Sequence, residues 1–383
     1  MNYTDPPPFE IEAQDHKFVF YPAGKDRLAA LLGLIEGAER TIRMCFYIFA
    51  EDKSGVLVRD ALAAAARRGV AVNLIVDSFG ADARKTFFAS VTEAGGTFCT
   101  FSPTISQRYL IRNHQKIVVI DERVAMIGGF NVEDSYFAPP EVNGWNDLGV
   151  TVEGSAVAQL TRWYDKIERW TLNPHAKWRS IRRLVKDWDP GTGPVRVLIG
   201  GPTRGLSSWA KCVRSDLTSA RKLDMLMAYF SPSNRSLRAI ARVARRDGAR
   251  LVMAAKSDNG ATIGATRSLY DYLLKRRAKI WEFEASKLHT KLIVIDDKSF
   301  VGSANFDMRS LYLNLEVMLR IEDQALADRL SEFVSRLIPA STHITPSVHK
   351  KRATLLNRVR WNLSWFLVAV VDYTVSRRLN LGL

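Results

Sequence analysis

Two short stretches of this chain carry the same reactive side chains in the same order. HQKIVVID supplies His114, Lys116 and Asp121, and HTKLIVID supplies His289, Lys291 and Asp296. A Gly-rich turn ending in Asn follows each: GGFN with Asn131, and GSAN with Ser303 and Asn305. The second His, Lys and Asp are displaced from the first by the same number of positions, which marks a repeat. An imidazole, an ammonium and an amide together suit a phosphodiester. Its non-bridging oxygens must be neutralised, a nucleophile must approach in line, and an acid must protonate the leaving alkoxide. Lys116, Lys291, Asn131, Asn305 and the Ser303 hydroxyl can bind the phosphate without a metal ion. A neutral imidazole can attack phosphorus and form a phosphohistidine, while a second, protonated imidazole releases the alcohol. The two histidines must then hold opposite protonation states, which couples their titrations. Water as the final acceptor gives hydrolysis; another alcohol gives transfer.

The elements around these residues follow from the pattern. KIVVI and VAMI read as strands joined by the turn DER, a hairpin centred near residue 122 that sets 114 opposite 130 and 116 opposite 128. The second copy, centred near 297, sets 289 opposite 305. Positions two apart share one face of a strand, so each His and Lys project together and the Asn returns beside them. Asp121 and Asp296 complete the motif but lie roughly 23 Å of extended strand beyond the histidines. They read as structural turn residues. Better acidic partners for the imidazoles are Asp147 in GWNDLGVTVEG and Glu316 in LYLNLEVMLRI, each reaching the histidine of the opposite half across a pseudo-twofold axis.

A larger repeat surrounds the motifs. TIRMCFYIFA, VRDALAAAARRG and VAVNLIVDS read as strand, helix, strand, and KLDMLMAYFSPS, LRAIARVARRDG and ARLVMAAKSD repeat the order. Apolar strands alternating with helices predict an α/β protein with sheets covered on both faces. The expected divisions are a mobile leader over 1–16, a first half over 17–185, a linker over 186–195, a second half over 196–340 and a basic, apolar C-terminal segment over 341–383. In that last segment the uncharged run between Arg360 and Asp372 is too short to span a bilayer. Its Trp, Phe and Arg residues suit a helix in the membrane interface; a terminal helix docked on the domain by its apolar face is the alternative.

The net charge of +15 in 383 residues, from 55 Lys+Arg against 40 Asp+Glu, points to an anionic partner, nucleic acid or an acidic membrane surface. A solvated basic surface is the bland alternative. Three scattered cysteines, Cys45, Cys99 and Cys212, speak against a disulfide framework and suit a reducing compartment. No secretory signal and no membrane span are expected. Metal-ligand spacings and nucleotide-binding loops are absent from the sequence, and His16, His175, His343 and His349 stand outside any motif.

With HxKx4D followed by GGxN or GSxN, the chain resembles the phospholipase D superfamily. In IRNHQKIVVIDERVAMIGGFN and LHTKLIVIDDKSFVGSANFDMRSLYLNLE it is most similar to short bacterial cardiolipin synthases without N-terminal membrane helices. The resemblance implies two similar α/β/α sandwich halves with mixed sheets, related by a pseudo-twofold axis, with the active site at their interface. It implies a phosphatidyltransferase that joins two phosphatidylglycerol molecules, or another phospholipid pair, and releases the headgroup alcohol by a phosphohistidine route with no metal and no cofactor. On the family pattern His114 is the nucleophile and His289 the general acid; the residues alone leave that order open. Lys116, Lys291, Asn131 and Asn305 would hold the phosphoryl oxygens, Glu316 would steady His114, and Asp147 would steady His289. One departure is Gly129 in the first motif where the second has Ser303, so the halves are chemically unequal. A phosphodiesterase hydrolysing phospholipid, or less readily nucleic acid, is the runner-up, and a non-catalytic lipid-binding scaffold the alternative of another class. The expected partners are anionic phospholipids and a membrane surface, with peripheral attachment to the cytoplasmic side of the bacterial inner membrane. The oligomeric state is open.

Overall fold

A computed structural model describes residues 3–80, 85–102, 111–176 and 178–372. The first half contributes β1 (Phe9–Ala13), β2 (His16–Tyr21), β3 (Thr41–Phe46), β4 (Ala71–Asp77), β5 (Thr97–Phe101), β6 (Ile117–Ile120), β7 (Val124–Gly128), β8 (Trp145–Asn146) and β9 (Gly149–Glu153). The second contributes β10 (Val195–Gly200), β11 (Leu223–Met227), β12 (Phe230–Ser231), β13 (Ala249–Ala254), β14 (Lys279–Phe283), β15 (Lys287–Leu288), β16 (Lys291–Ile295), β17 (Lys298–Gly302), β18 (Phe306–Asp307), β19 (Glu316–Glu322) and β20 (Ser341–His343). Two eight-stranded sheets result, in the orders β1-β2-β9-β7-β6-β3-β4-β5 and β10-β19-β17-β16-β11-β13-β14-β20.

Apart from the edge strands β1 and β20, the two sheets share one topology. In each, three strands run parallel and the rest antiparallel, giving mixed sheets. The helices Lys53–Arg67 and Asn234–Ala244 make the crossovers between parallel strands. Both begin on a side-chain cap, Asp52 accepting from the Gly55 amide and Ser233 from the Ser236 amide. Central strands such as β11 are buried along their whole length because helices cover both faces.

One apolar cluster joins the halves. It runs from the inward faces of both sheets through the helices Ser155–Leu172 and Gln324–Leu337. Within it Trp163 is fully buried and meets Trp188 edge-on at 5.4 Å. Trp188 lies in the connection expected over 186–195, which runs from the helix Trp178–Lys186 to β10.

Three expectations need correction. The leader over 1–16 is not a loose tail. FEIEA alternates apolar and acidic residues and pairs with β2 as an edge hairpin, with Phe9 stacked on Phe20 at 5.0 Å. Its turn residues Gln14 and Asp15 both take positive φ, as a two-residue hairpin turn demands. Residues 1–2 lie outside the described residues. The second half does not stop at 340, since β20 pairs with β14.

The third correction is a register. In the first motif Ile117 pairs with Ile127 and Ile120 with Val124, about the expected centre at 122. In the second, Leu292 pairs with Val301 and Ile295 with Lys298. That turn holds only Asp296 and Asp297, one residue fewer than Asp121–Glu122–Arg123, so its register is one residue short of 289 opposite 305. The missing residue also brings Asn305 one position nearer its His than Asn131 is.

The C-terminal segment both docks and exposes. The helix Leu355–Trp365 and the wider helical turn Phe366–Asp372 lie on the helix Gly260–Ser268, with Trp361 and Ala369 buried. On the outer side Leu355 is 82% and Leu356 77% exposed, and Val359, Leu363, Phe366 and Leu367 continue the stripe. Residues 373–383 of this segment lie outside the described residues. No helix among the described residues is long and apolar enough to cross a membrane.

Candidate active site

Each histidine is held by backbone from the opposite half. The His114 amide donates to the Leu315 carbonyl at 3.0 Å, and the Leu315 amide donates to the Arg112 carbonyl at 2.9 Å. In the other copy β15 pairs with β8, and the His289 and Thr290 amides donate to the Asn146 carbonyl at 2.8 and 3.1 Å. The residue after each clamp is an acid. Glu316 places its carboxylate oxygens 3.0 and 3.1 Å from His114 Nδ1, and Asp147 Oδ2 lies 2.6 Å from His289 Nδ1. With Nδ1 engaged in both rings, Nε2 is the nitrogen left to meet a substrate.

The lysines, one strand pleat further on, turn back to their own motifs. Lys116 Nζ donates to the His114 carbonyl at 2.8 Å, and Lys291 Nζ to the His289 carbonyl. Asn131 Oδ1 accepts from the Ile48 amide at 3.1 Å, which orients its NH₂ group; Asn305 Oδ1 is buried with no partner among the described residues. Both lysines, both acids and both asparagines are buried. Aromatic rings line the histidines: Tyr47 lies 5.0 Å from His114, and Tyr136 and Trp145 lie 5.1 and 5.2 Å from His289. Two buried ammoniums beside two buried carboxylates are expensive to desolvate, and such clusters mark functional sites more often than stabilising ones.

The electrostatics follow from burial. Desolvation and the neighbouring ammoniums push His114 well below the ordinary imidazole value and His289 down to about 3. Both imidazoles are therefore neutral at pH 7. Burial pushes Lys116 down to about 7 and Lys291 down to about 8. The carboxylates diverge. Burial lifts Glu316 to about 8. Burial also works to raise Asp147, but Lys291, His289 and Arg27 outweigh it and hold that group below the ordinary carboxylate range.

Asp121 and Asp296, counted with the catalytic residues as part of the motif, sit at the far end of each hairpin. Asp121 accepts from the amides of Glu39, Arg40 and Thr41 at 2.9, 2.7 and 2.7 Å, fixing the entry to β3. Asp296 does the same for Arg221 and Lys222 before β11. Neither approaches an imidazole. Ser303 also departs from its expected place among the phosphate ligands: fully buried, it donates its one proton to Glu316 Oε2 and accepts from the Val317 amide at 3.0 Å. The unequal Gly129 has a steric reason. A Cβ built there would lie 2.7 Å from Asp147 Oδ1 and 2.9 Å from Lys291 Cδ.

Several supporting residues carry no motif signal. Gln115 links Trp163 Nε1 to the Glu316 carbonyl through bonds of 3.1 Å each. Buried Arg27 donates to the carbonyls of Tyr136, Trp145 and Asp147, bracing the strand that presents Asp147. The N-terminal segment reaches the site too, with Asn146 Nδ2 donating to Asp5 Oδ1 and Tyr3 Oη at 2.9 and 3.0 Å. Only the interleaving of His with Gln115 and of Asp147 with Asn146 could have hinted at any of them.

The sequence pattern described as "Cardiolipin synthase, PLD-like domain" matches residues 31–168 and 213–338. The major cardiolipin synthase ClsA of Bacillus subtilis is 32% identical over 335 residues, covering 84% of this chain and 68% of that protein. A cardiolipin synthase of Geobacillus thermodenitrificans is 32% identical over 372 residues, covering 93% of this chain and 70% of its own. The chain thus spans about two thirds of the length of these relatives. Among solved structures, phosphatidylserine synthase from Haemophilus influenzae superposes with a TM-score of 0.73 over 97% of both chains at 14% identity, a likeness of fold.

Proposed function

The chain belongs to the cardiolipin synthase family with a phospholipase D-like domain, and from that premise we propose that it is a phosphatidyltransferase joining two phospholipids through a phosphohistidine. The observation that carries the reading is the crossed pairing of His114 with Glu316 and His289 with Asp147 around two buried ammoniums.

In this mechanism the Lys116 and Lys291 ammoniums and the Asn131 and Asn305 amides take the non-bridging oxygens of the donor. The donor's negative charge offsets the ammoniums, which favours a proton on His289 once lipid is bound. His114 Nε2 attacks phosphorus; the headgroup oxygen leaves with a proton from His289 Nε2, and a phosphatidyl-histidine remains. His289, now neutral, accepts the proton of the second alcohol as its oxygen attacks phosphorus. The phosphorus–nitrogen bond breaks and His114 is restored. The unequal carboxylates support this order. Asp147, held ionised, is the better anion to sit beside an imidazolium, so His289 suits the acid; His114, beside the less acidic Glu316, suits the neutral nucleophile.

The reading includes peripheral attachment to an anionic membrane, on the cytoplasmic side of the bacterial inner membrane. The exposed stripe from Leu355 to Leu367, with Lys350 and Lys351 before it and Arg358 within it, has the composition of an interfacial helix. Three free cysteines suit a reducing side.

The test incubates the chain with phosphatidylglycerol vesicles, with and without EDTA, and resolves the lipids. Cardiolipin and glycerol, unaffected by EDTA, are expected. Phosphatidic acid alone would make the chain a hydrolase, and cleavage of DNA without lipid turnover would make it a nuclease.

A further inference from the structure

A basic pocket of about 750 Å³ opens between the helix Gly260–Ser268 and the C-terminal helix. Lys256, Ser257, Arg267, Arg352 and Arg360 are among its lining residues, with one carboxylate, Glu284, which lies 3.9 Å from Arg352. The two helices meet closely at Gly264: a Cβ there would lie 2.6 Å from Ser364 Oγ, so the Ser364 side chain of the C-terminal helix packs directly on the Gly264 backbone. Arg267 and Arg352 are already bound, both to Glu282, at 2.8 and 2.9 Å. Lys256 and Arg360 are different. Exposed on two different elements, the loop after β13 and the C-terminal helix, they make no ion pair or hydrogen bond among the described residues. Two uncommitted cations facing one concavity invite an anion.

Tyr229 joins this pocket to the active site. Its hydroxyl donates to Asp258 Oδ1 at 2.8 Å and accepts from Ser257 Oγ at 3.3 Å, and its ring stands edge-on to His289 at 6.4 Å. Tyr229 thus touches His289 on one side and, on the other, Ser257, a lining residue of the pocket.

We propose that this pocket binds the phosphate of the acceptor lipid, so that Lys256 and Arg360 select an anionic glycerophospholipid as the second alcohol. The proposal rests on the phosphatidyltransferase reading above. In-line displacement places the incoming oxygen opposite the His114 nitrogen, on the His289 side. The acceptor oxygen bonds to phosphorus, the phosphorus–nitrogen bond breaks with its electron pair returning to His114, and the acceptor proton passes to His289 Nε2. An acceptor whose hydroxyl stands three carbons from its own phosphate then brings a second negative charge to that side. Lys116 and Lys291 are occupied by the first phosphate, and the pocket beyond Tyr229 offers two cations that no described residue engages. The C-terminal helix thus has two faces with two tasks, an outer apolar one and an inner one that completes this subsite.

The experiment compares two acceptors in one assay. The full chain is given phosphatidylglycerol vesicles at saturating lipid with n-butanol present, and cardiolipin and phosphatidylbutanol are measured together. The Lys256→Gln/Arg360→Gln double variant should lower the cardiolipin-to-phosphatidylbutanol ratio by about tenfold or more, the scale of one to two charge-assisted contacts. Lys256→Arg/Arg360→Lys should restore most of it. An unchanged ratio overturns the proposal, including the case where both products fall together because vesicle docking alone has suffered. If the unaltered chain forms neither product, it is the underlying phosphatidyltransferase reading that fails.

Discussion

Gly129 and Asp147 approach so closely that a single added carbon on Gly129 would sit 2.7 Å from the carboxylate. Across the pseudo-twofold axis the same corner is filled differently, by a Ser303 hydroxyl donating to Glu316. Copying the second motif into the first, with Gly129→Ser, therefore should not make the halves equal. It should push Asp147 off His289 and cost about 1–3 kcal/mol of stability, the usual range for overpacking. Turnover should fall by about a hundredfold, as when one acid–base group is misplaced. Lipid-transfer rates and a thermal melt check both; a Gly129→Ser variant at full activity contradicts the steric reading.

Ser303 separates positioning from phosphate binding. Its hydroxyl is spent on Glu316 and the Val317 amide, so Ser303→Ala should lower kcat by about tenfold, roughly one hydrogen bond, with KM nearly unchanged. A rise in KM at constant kcat would instead mark it as a ligand of the substrate.

The order of the histidines can be read with a donor that needs no acid. A p-nitrophenyl phosphodiester of the same lipid leaves unaided. With it, His289→Ala should release one equivalent of nitrophenolate per chain in a burst and then stall, while His114→Ala should show no burst. The opposite pattern would exchange the two roles.

Activity should fail on the alkaline side. Lys116 at about 7 and Lys291 at about 8 are cations only below those values. As pH rises through them the clamp loses charge, so kcat/KM for the free enzyme should fall above about pH 8. Glu316, lifted to about 8, releases its proton over the same range, so the fall belongs to the cluster as a whole. His289, lowered to about 3, imposes no loss between about pH 7 and pH 5, and burial moves His114 in the same direction. A kcat/KM that climbs from pH 7 to 9 would contradict this.

Asp121 should prove structural. Burial opposes its ionisation, but three backbone amides hold it below the ordinary carboxylate value. Asp121→Ala should cost about 1–3 kcal/mol, as for an amide cap left unsatisfied, and leave kcat per folded molecule unaltered. Because the folded value is lowered, this contribution is present above the unfolded carboxylate value and is lost as pH falls through the folded one. The gap between the two proteins in denaturant titrations should therefore close below about pH 4. A gap that widens in acid would refute the assignment.

What could be read from residues alone was whatever repeats. His114 and His289 and their lysines recur at one offset, the acids Asp147 and Glu316 follow them in or beside strand-like stretches, and chance seldom duplicates a whole set of chemistry-bearing types. Single features were harder. The FEIEA strand looks like a charged tail until β2 supplies its partner, since an edge strand needs only one apolar face. The missing residue in the Asp296 turn shifts a register without altering any motif residue. Ser303 looked like a phosphate ligand because a hydroxyl serves either role, and only Glu316 beside it decides. Tyr136, Trp145 and Arg27 reach the site through contacts across long stretches of chain, which leave no local pattern.

The backbone clamps have a consequence for how the chain comes into being. His114 is tied to Leu315 and braced by Glu316, His289 to Asn146 and Asp147, so neither histidine is complete until both halves have folded together. A partly synthesised chain carries the first motif without Leu315 and Glu316, so its His114 lacks both the backbone tie and the carboxylate. The pairing is complete only when the second half has closed on the first.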